Sequence, residues 1–86
     1  MKKYQVIGGQ YESHWYGESD SLHGAKLIAS KHREYWDNWQ GWHTPNIYLS
    51  ADVAETHRDG ELIRYRTSGA YARYDEQRKH WLVLCF

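Results

Sequence analysis

Lys3 to Ile7 alternates weakly between polar and apolar positions and is rich in β-formers. Gly8-Gly9 follows, a two-residue hairpin signal, and Gln10 to Tyr16 alternates again with Tyr11, Ser13 and Trp15 on one face. This pattern predicts a first hairpin with strands over 3–8 and 10–16. Beyond a polar connector at 17–21 the period lengthens. Leu22, Ala25, Ile28, Ala29, His32 and Trp36 recur at spacings of three and four, which predicts a helix over 21–34. Asp20 or Ser21 is placed to cap it by accepting from free backbone N–H groups. Gly24 costs that helix about 1 kcal/mol relative to Ala, and it permits a close approach to the sheet. Lys31, His32 and Arg33 suit the negative end of the helix dipole.

Tyr35 to Pro45 breaks both periods. Trp36, Trp39 and Trp42 recur every third residue, while Gly41 and Pro45 stop a long regular element. A compact loop with a 3₁₀ turn is expected, its i, i+3 side chains sharing a side. Asn46 to Leu49 reads as a short strand. Val53 to Arg58 and Glu61 to Arg66 flank Asp59-Gly60, a second hairpin signal; the competing pattern is a short helix over 51–57 capped by Ser50. Ala70 to Tyr74 and His80 to Phe86 read as a last hairpin around 75–79. Its second strand, Trp81 to Phe86, is apolar on both faces, which predicts a central strand or a subunit interface. Together these elements predict one α+β domain over 1–86: an antiparallel β-sheet of hairpins with one packed helix, ββαβββ with room for a further strand.

Composition sharpens the picture of the core. Thirteen Ile, Leu and Val are few for 86 residues, and five Trp, eight Tyr and one Phe make up the deficit. Each aromatic buries about 150–250 Å². Eleven basic residues balance eleven acidic ones, so the chain lacks the broad field that drives phosphate-backbone binding and the acidity of a DNA mimic. A single cysteine, Cys85, excludes an internal disulfide and sits in an apolar run. No apolar leader and no membrane-spanning run is evident, so the expected location is cytoplasmic, with no membrane partner.

Tyr35 to Tyr48 (YWDNWQGWHTPNIY), with Gly24-Ala25-Lys26 and Tyr4 to Tyr11 (YQVIGGQY), resembles a group of short uncharacterised proteins. These are encoded by phages, prophages and other mobile elements of Gram-positive bacteria. The resemblance covers roughly residues 3–52 and fades across the Arg-rich remainder. It implies a context only: a small accessory protein that acts on a host pathway or blocks a host defence. It carries over no activity, cofactor or catalytic residue.

The chemistry-bearing residues point away from catalysis. Cys85 and His80 are five apart in a predicted strand and so face opposite ways. The serines lack a GxSxG elbow, and Gly8-Gly9 lacks a phosphate-loop pattern. The six histidines are scattered without HxxxH or HxH pairs, so no metal and no cofactor is expected. Two binding surfaces stand out. Trp39, Trp42, His43 and Tyr48, rimmed by Asp37, form an aromatic segment suited to a protein partner, a host protein in the context above. Arg64, Arg66 and Arg73 with Tyr71 have the residue types that hold a nucleotide or single-stranded nucleic acid. The plainer reading of that set is a solvated strand face with cross-strand pairs to Glu55 or Glu61. A third expectation is self-association through 81–86.

Overall fold

The computed structural model describes residues 1–9, 14–36 and 41–84. Tyr4–Gly8 (β1) and His14–Ser19 (β2) pair antiparallel, followed by the helix Leu22–Lys31 (α1). Glu34–Tyr35 (β3) and Trp42–His43 (β4) form a small ladder of their own. Asn46–Leu49 (β5), a 3₁₀ turn at Ser50–Asp52, and the hairpin Val53–Arg58 (β6) and Glu61–Arg66 (β7) come next. Ala72–Asp75 (β8) and His80–Val83 (β9) close the order. The main sheet is antiparallel, in the order β2-β1-β5-β8-β9. The predicted α+β class is what the chain adopts.

The helix covers one face of this sheet. Ala25 and Ala29 are fully buried against Tyr4, Val6, Ile47 and Ala72, with Leu22, Ile28 and Trp81 around them. Ser21 caps the helix, its Oγ accepting from the Gly24 N–H at 3.0 Å. A Cβ on Gly24 would collide with Ser19 Oγ of β2, so the glycine is what lets the helix lie this close. The helix ends at Lys31 rather than at 34, because Glu34 and Tyr35 are drawn into pairing with β4. Trp36 therefore leaves the helical stripe and does not reach the core.

The opposite face carries the β6–β7 hairpin. Asp59 and Gly60 both have positive φ, 53° and 83°, as a two-residue turn matched to strand twist requires. The predicted boundaries 53–58 and 61–66 are those observed, and the alternative helix over 51–57 shrinks to the 3₁₀ turn. Under this layer lie Ile7, Tyr48 and Val53, together with the fully buried Gln5.

Two predictions about strands need correction. The first hairpin is not closed by a two-residue turn: Gly8 pairs with His14, so residues 9–13 make the connection and β2 runs on to Ser19. The predicted face of Tyr11 and Ser13 lies outside the described residues. The register slips between Val6 and Ile7, leaving Tyr16 as the extra residue of a β-bulge. The 81–86 segment is not central either. β9 is the edge of the sheet, because β8 is already held on its other side by β5; residues 85–86, and with them Cys85, are outside the described part.

Candidate functional site

The described ends of the aromatic segment pair as a short ladder, and the expected 3₁₀ turn falls on residues 37–40, outside the described residues. Tyr35 pairs with Trp42 and Glu34 with His43, and the Trp36 N–H donates to the Gly41 carbonyl at 3.2 Å. Gly41 has φ of 71°, which lets the strand turn back toward β3. Asp37 and Trp39, both expected at the binding surface, lie outside the described residues.

Alternation along two short strands gives this hairpin two unlike faces. On the outer one, the Tyr35 and Trp42 rings meet edge to face, centroids 5.5 Å apart. Both remain half exposed, 49% and 50%. The Arg33 guanidinium lies 4.9 Å from the Trp42 ring centre. It also donates to Glu76 Oε2, from Nη2 at 2.6 Å and from Nε at 3.2 Å. The other Glu76 oxygen accepts from Thr44 Oγ1 at 2.7 Å. Burial alone would raise the Glu76 carboxyl, but the bonds from Arg33 and Thr44 outweigh it and hold it below its ordinary value. The same pairing raises Arg33. Arg33 is thus held by Glu76 as a cation laid against Trp42.

On the inner face the side chains partner one another. Trp36 stacks on His43 at 3.7 Å, and the Trp36 indole N–H donates to Glu34 at 3.0 Å. Tyr16 donates to the same Glu34 oxygen at 3.3 Å and stacks on His32. Burial, then the neighbouring Glu34, raises the Tyr16 phenol. Beneath this stack is a cleft of about 100 Å³ lined by Gly8, Gly9, Trp36, His43, Pro45 and Asn46. Gly8 is required there, since a Cβ would stand 2.9 Å from Pro45. His43 faces this cleft with its Nε2 buried and unpartnered, and not the surface that Trp42 occupies.

Of the expected partner-binding residues, Trp42 alone is described and displayed. Tyr48 is corrected outright: it is 1% exposed, in the core beneath the β6–β7 layer, out of reach of a binding protein. Arg33 and Tyr35 belong to the surface and were missed. No local signal marks them, because what displays them is the pairing of Tyr35 with Trp42 across the ladder.

The arginine set is not brought together. Arg64 is a structural clamp: its side chain is only 12% exposed. Its Nη1 donates to Gln5 Oε1 at 3.3 Å and Glu18 Oε2 at 3.1 Å, and its Nε donates to Glu55 at 2.9 Å. Its guanidinium lies 4.7 Å from the Trp15 ring centre. Burial opposes its charge, and Glu18 and Glu55 more than restore it. Three hydrogen bonds and one ring contact hold the group, and only 12% of its side chain reaches solvent, which leaves little of it for a phosphate. Glu55 is its predicted cross-strand neighbour. Arg66 is exposed on β7, whereas Arg73 sits on β8 in a shallow groove beside Asn46 and Tyr74. Tyr71 is half-buried against Tyr4 at 5.6 Å. Among the described residues, no group of three or more His, Cys, Asp or Glu is placed to hold a metal ion, and no helix is long and apolar enough to cross a membrane.

The architecture is thus a small α+β fold displaying an aromatic hairpin with a cation laid across it. No family model matches this chain, and no curated protein or solved structure matches it either.

Proposed function

We propose that this chain is a non-enzymatic binding protein that occludes a protein partner through the outer face of the β3–β4 hairpin. The observation that carries the reading is the Tyr35–Trp42 pair, half exposed on both rings, with the Arg33 cation laid against Trp42. Large aromatics and arginine are the residue types that dominate protein interfaces, because they offer area and hydrogen bonds at little cost in side-chain freedom. A rigid aromatic pair left in water costs the free protein solvation that a partner recovers. The resemblance of the 35–48 segment to mobile-element proteins makes a host protein, one of a defence pathway among them, the partner class to test first. Occlusion needs no cofactor.

The test is retention of a host protein on immobilised chain, compared with the Tyr35→Ala/Trp42→Ala double variant. Far-ultraviolet circular dichroism and the melting temperature establish that the variant is folded. Loss of the retained protein in a folded double variant supports the reading. Equal retention refutes it. The nucleic-acid alternative has one of its three arginines, Arg64, engaged in the fold and has no specific observation in its favour.

A further inference from the structure

We infer that β9 is a self-pairing edge, and that two copies of this chain join through it into one continuous antiparallel sheet. β9 closes the main sheet, with β8 on one side and, among the described residues, no strand on the other. The direction of its backbone groups follows from one bond. The Leu84 N–H donates to the Tyr71 carbonyl at 2.8 Å, and antiparallel ladders alternate. The N–H and C=O groups of Leu84, Leu82 and His80 therefore point at β8. Those of Trp81 and Val83 point away from the sheet.

Such an edge normally carries a device against pairing: a proline, a lysine, an inward charge or a covering loop. Trp81, Leu82, Val83 and Leu84 include no charge and no proline. Val83 and Leu84 are 43% and 45% exposed, on opposite faces of the strand. The formal net charge of the chain is zero, so two copies meet without long-range repulsion.

The occupant is argued from the strand's own symmetry. With a two-fold axis through Leu82, Trp81 of one copy stands opposite Val83 of the other, and the reverse. These are the two residues whose backbone groups are turned outward. Each pair exchanges both of its bonds, and Leu82 faces Leu82 as the close, non-hydrogen-bonded pair. The open donors and acceptors of the described strand are satisfied in one register, with apolar residues opposite one another. The surface is small, so the dimer is weak, with a dissociation constant on the order of 100 µM.

Sedimentation velocity over a concentration series, with the variant Val83→Pro, tests this. That substitution removes an N–H the single copy does not use, and an edge strand tolerates proline there. The expected result is a concentration-dependent dimer for the parent chain and a monomer for a folded Val83→Pro. A parent chain that stays monomeric at roughly millimolar concentration overturns the inference, as does a folded Val83→Pro that dimerises equally. Should that variant fail to fold, single cysteines in a Cys85→Ser background decide. Leu82→Cys places its Cα about 4.5 Å from its counterpart, within disulfide reach, whereas Leu84→Cys lies four residue steps apart. Oxidative cross-linking of Leu82→Cys and not Leu84→Cys supports the register. Equal cross-linking of both, or of neither, overturns it.

Discussion

Protonating Glu18 should release a measurable part of the fold's stability, in a pH window set by its contacts. Its carboxylate accepts from the Lys2 backbone N–H at 2.6 Å, from Arg64 at 3.1 Å and from Gln5 at 3.2 Å. The Lys2 bond is the largest cause, with the Arg64 bond next, and together they hold Glu18 at about 2 instead of 4.5. A tenfold change in proton affinity corresponds to about 1.4 kcal/mol, so the ceiling is roughly 3.4 kcal/mol. The side chain is 24% exposed, and solvent screening reduces this to about 1–2 kcal/mol. The folded pKa is depressed, so this stability is fully present above about 4.5 and drains away as pH falls toward about 2. The assay is urea unfolding of the parent and of Glu18→Gln at several pH values, read as the difference between the two. Subtracting the variant cancels most of the contribution of the other carboxylates. A gap of about 1–2 kcal/mol at pH 6 that closes toward pH 2 is expected. A gap that ignores pH, or none at pH 6, refutes the assignment.

Two further outcomes follow from the same packing. Arg64→Met keeps an apolar stem against Trp15 but removes the cation from Glu18 and Glu55, leaving Gln5 Oε1 with the Trp15 indole N–H alone; it should cost about 2 kcal/mol, seen as a melting temperature lower by roughly 8 °C or more. Gly24→Ala should fail to give the usual gain of about 1 kcal/mol in helix propensity, because its Cβ meets Ser19 Oγ. The same change should cost less in a Ser19→Ala background, where Ser21 Oγ and the residue-19 Cβ still crowd it at 3.0 and 3.1 Å, so additivity of the two in thermal melts would disprove the clash.

What the sequence made legible was whatever local chemistry decides. The Asp59-Gly60 turn and its strands are read to the residue, because positive φ at two successive positions admits few solutions. The helix start is equally local, resting on Ser21 and the stripe of Leu22, Ala25, Ile28 and Ala29. What escaped was decided by partners far along the chain. Arg64 reads as a solvent-facing cation until Glu18 and Gln5, 46 and 59 residues away, come to meet it. Tyr48 sits in a pattern of display residues, yet pairing of β5 with β1 turns it inward beside Ile7. The apolar 81–86 run invites a central position because hydrophobicity alone cannot distinguish a covered strand from an uncovered edge. Strand order is a property of the whole sheet.

The display surface depends on a tether that is itself testable. A two-residue ladder has almost no stability of its own, so the β3–β4 hairpin must be held from outside. On its outer side that hold is Glu76, which joins Arg33 of the incoming chain to Thr44 of the outgoing one. Neither end of the hairpin moves freely while both bonds persist. Glu76→Gln removes the charge yet preserves a carbonyl acceptor, and Arg33 is 40% exposed, so the loss should be modest, about 1 kcal/mol. Local opening should then rise by about fivefold, read as faster hydrogen exchange at the Trp36 amide, which is bonded to Gly41 across the ladder. Amides of the β6–β7 hairpin share no contact with Glu76 among the bonds described and should keep their protection. Unchanged exchange at Trp36 would show that the Trp36–His43 stack holds the hairpin unaided. Acceleration confined to Trp36 and its neighbours would show that the aromatic pair is presented by an ion pair some forty residues along the chain.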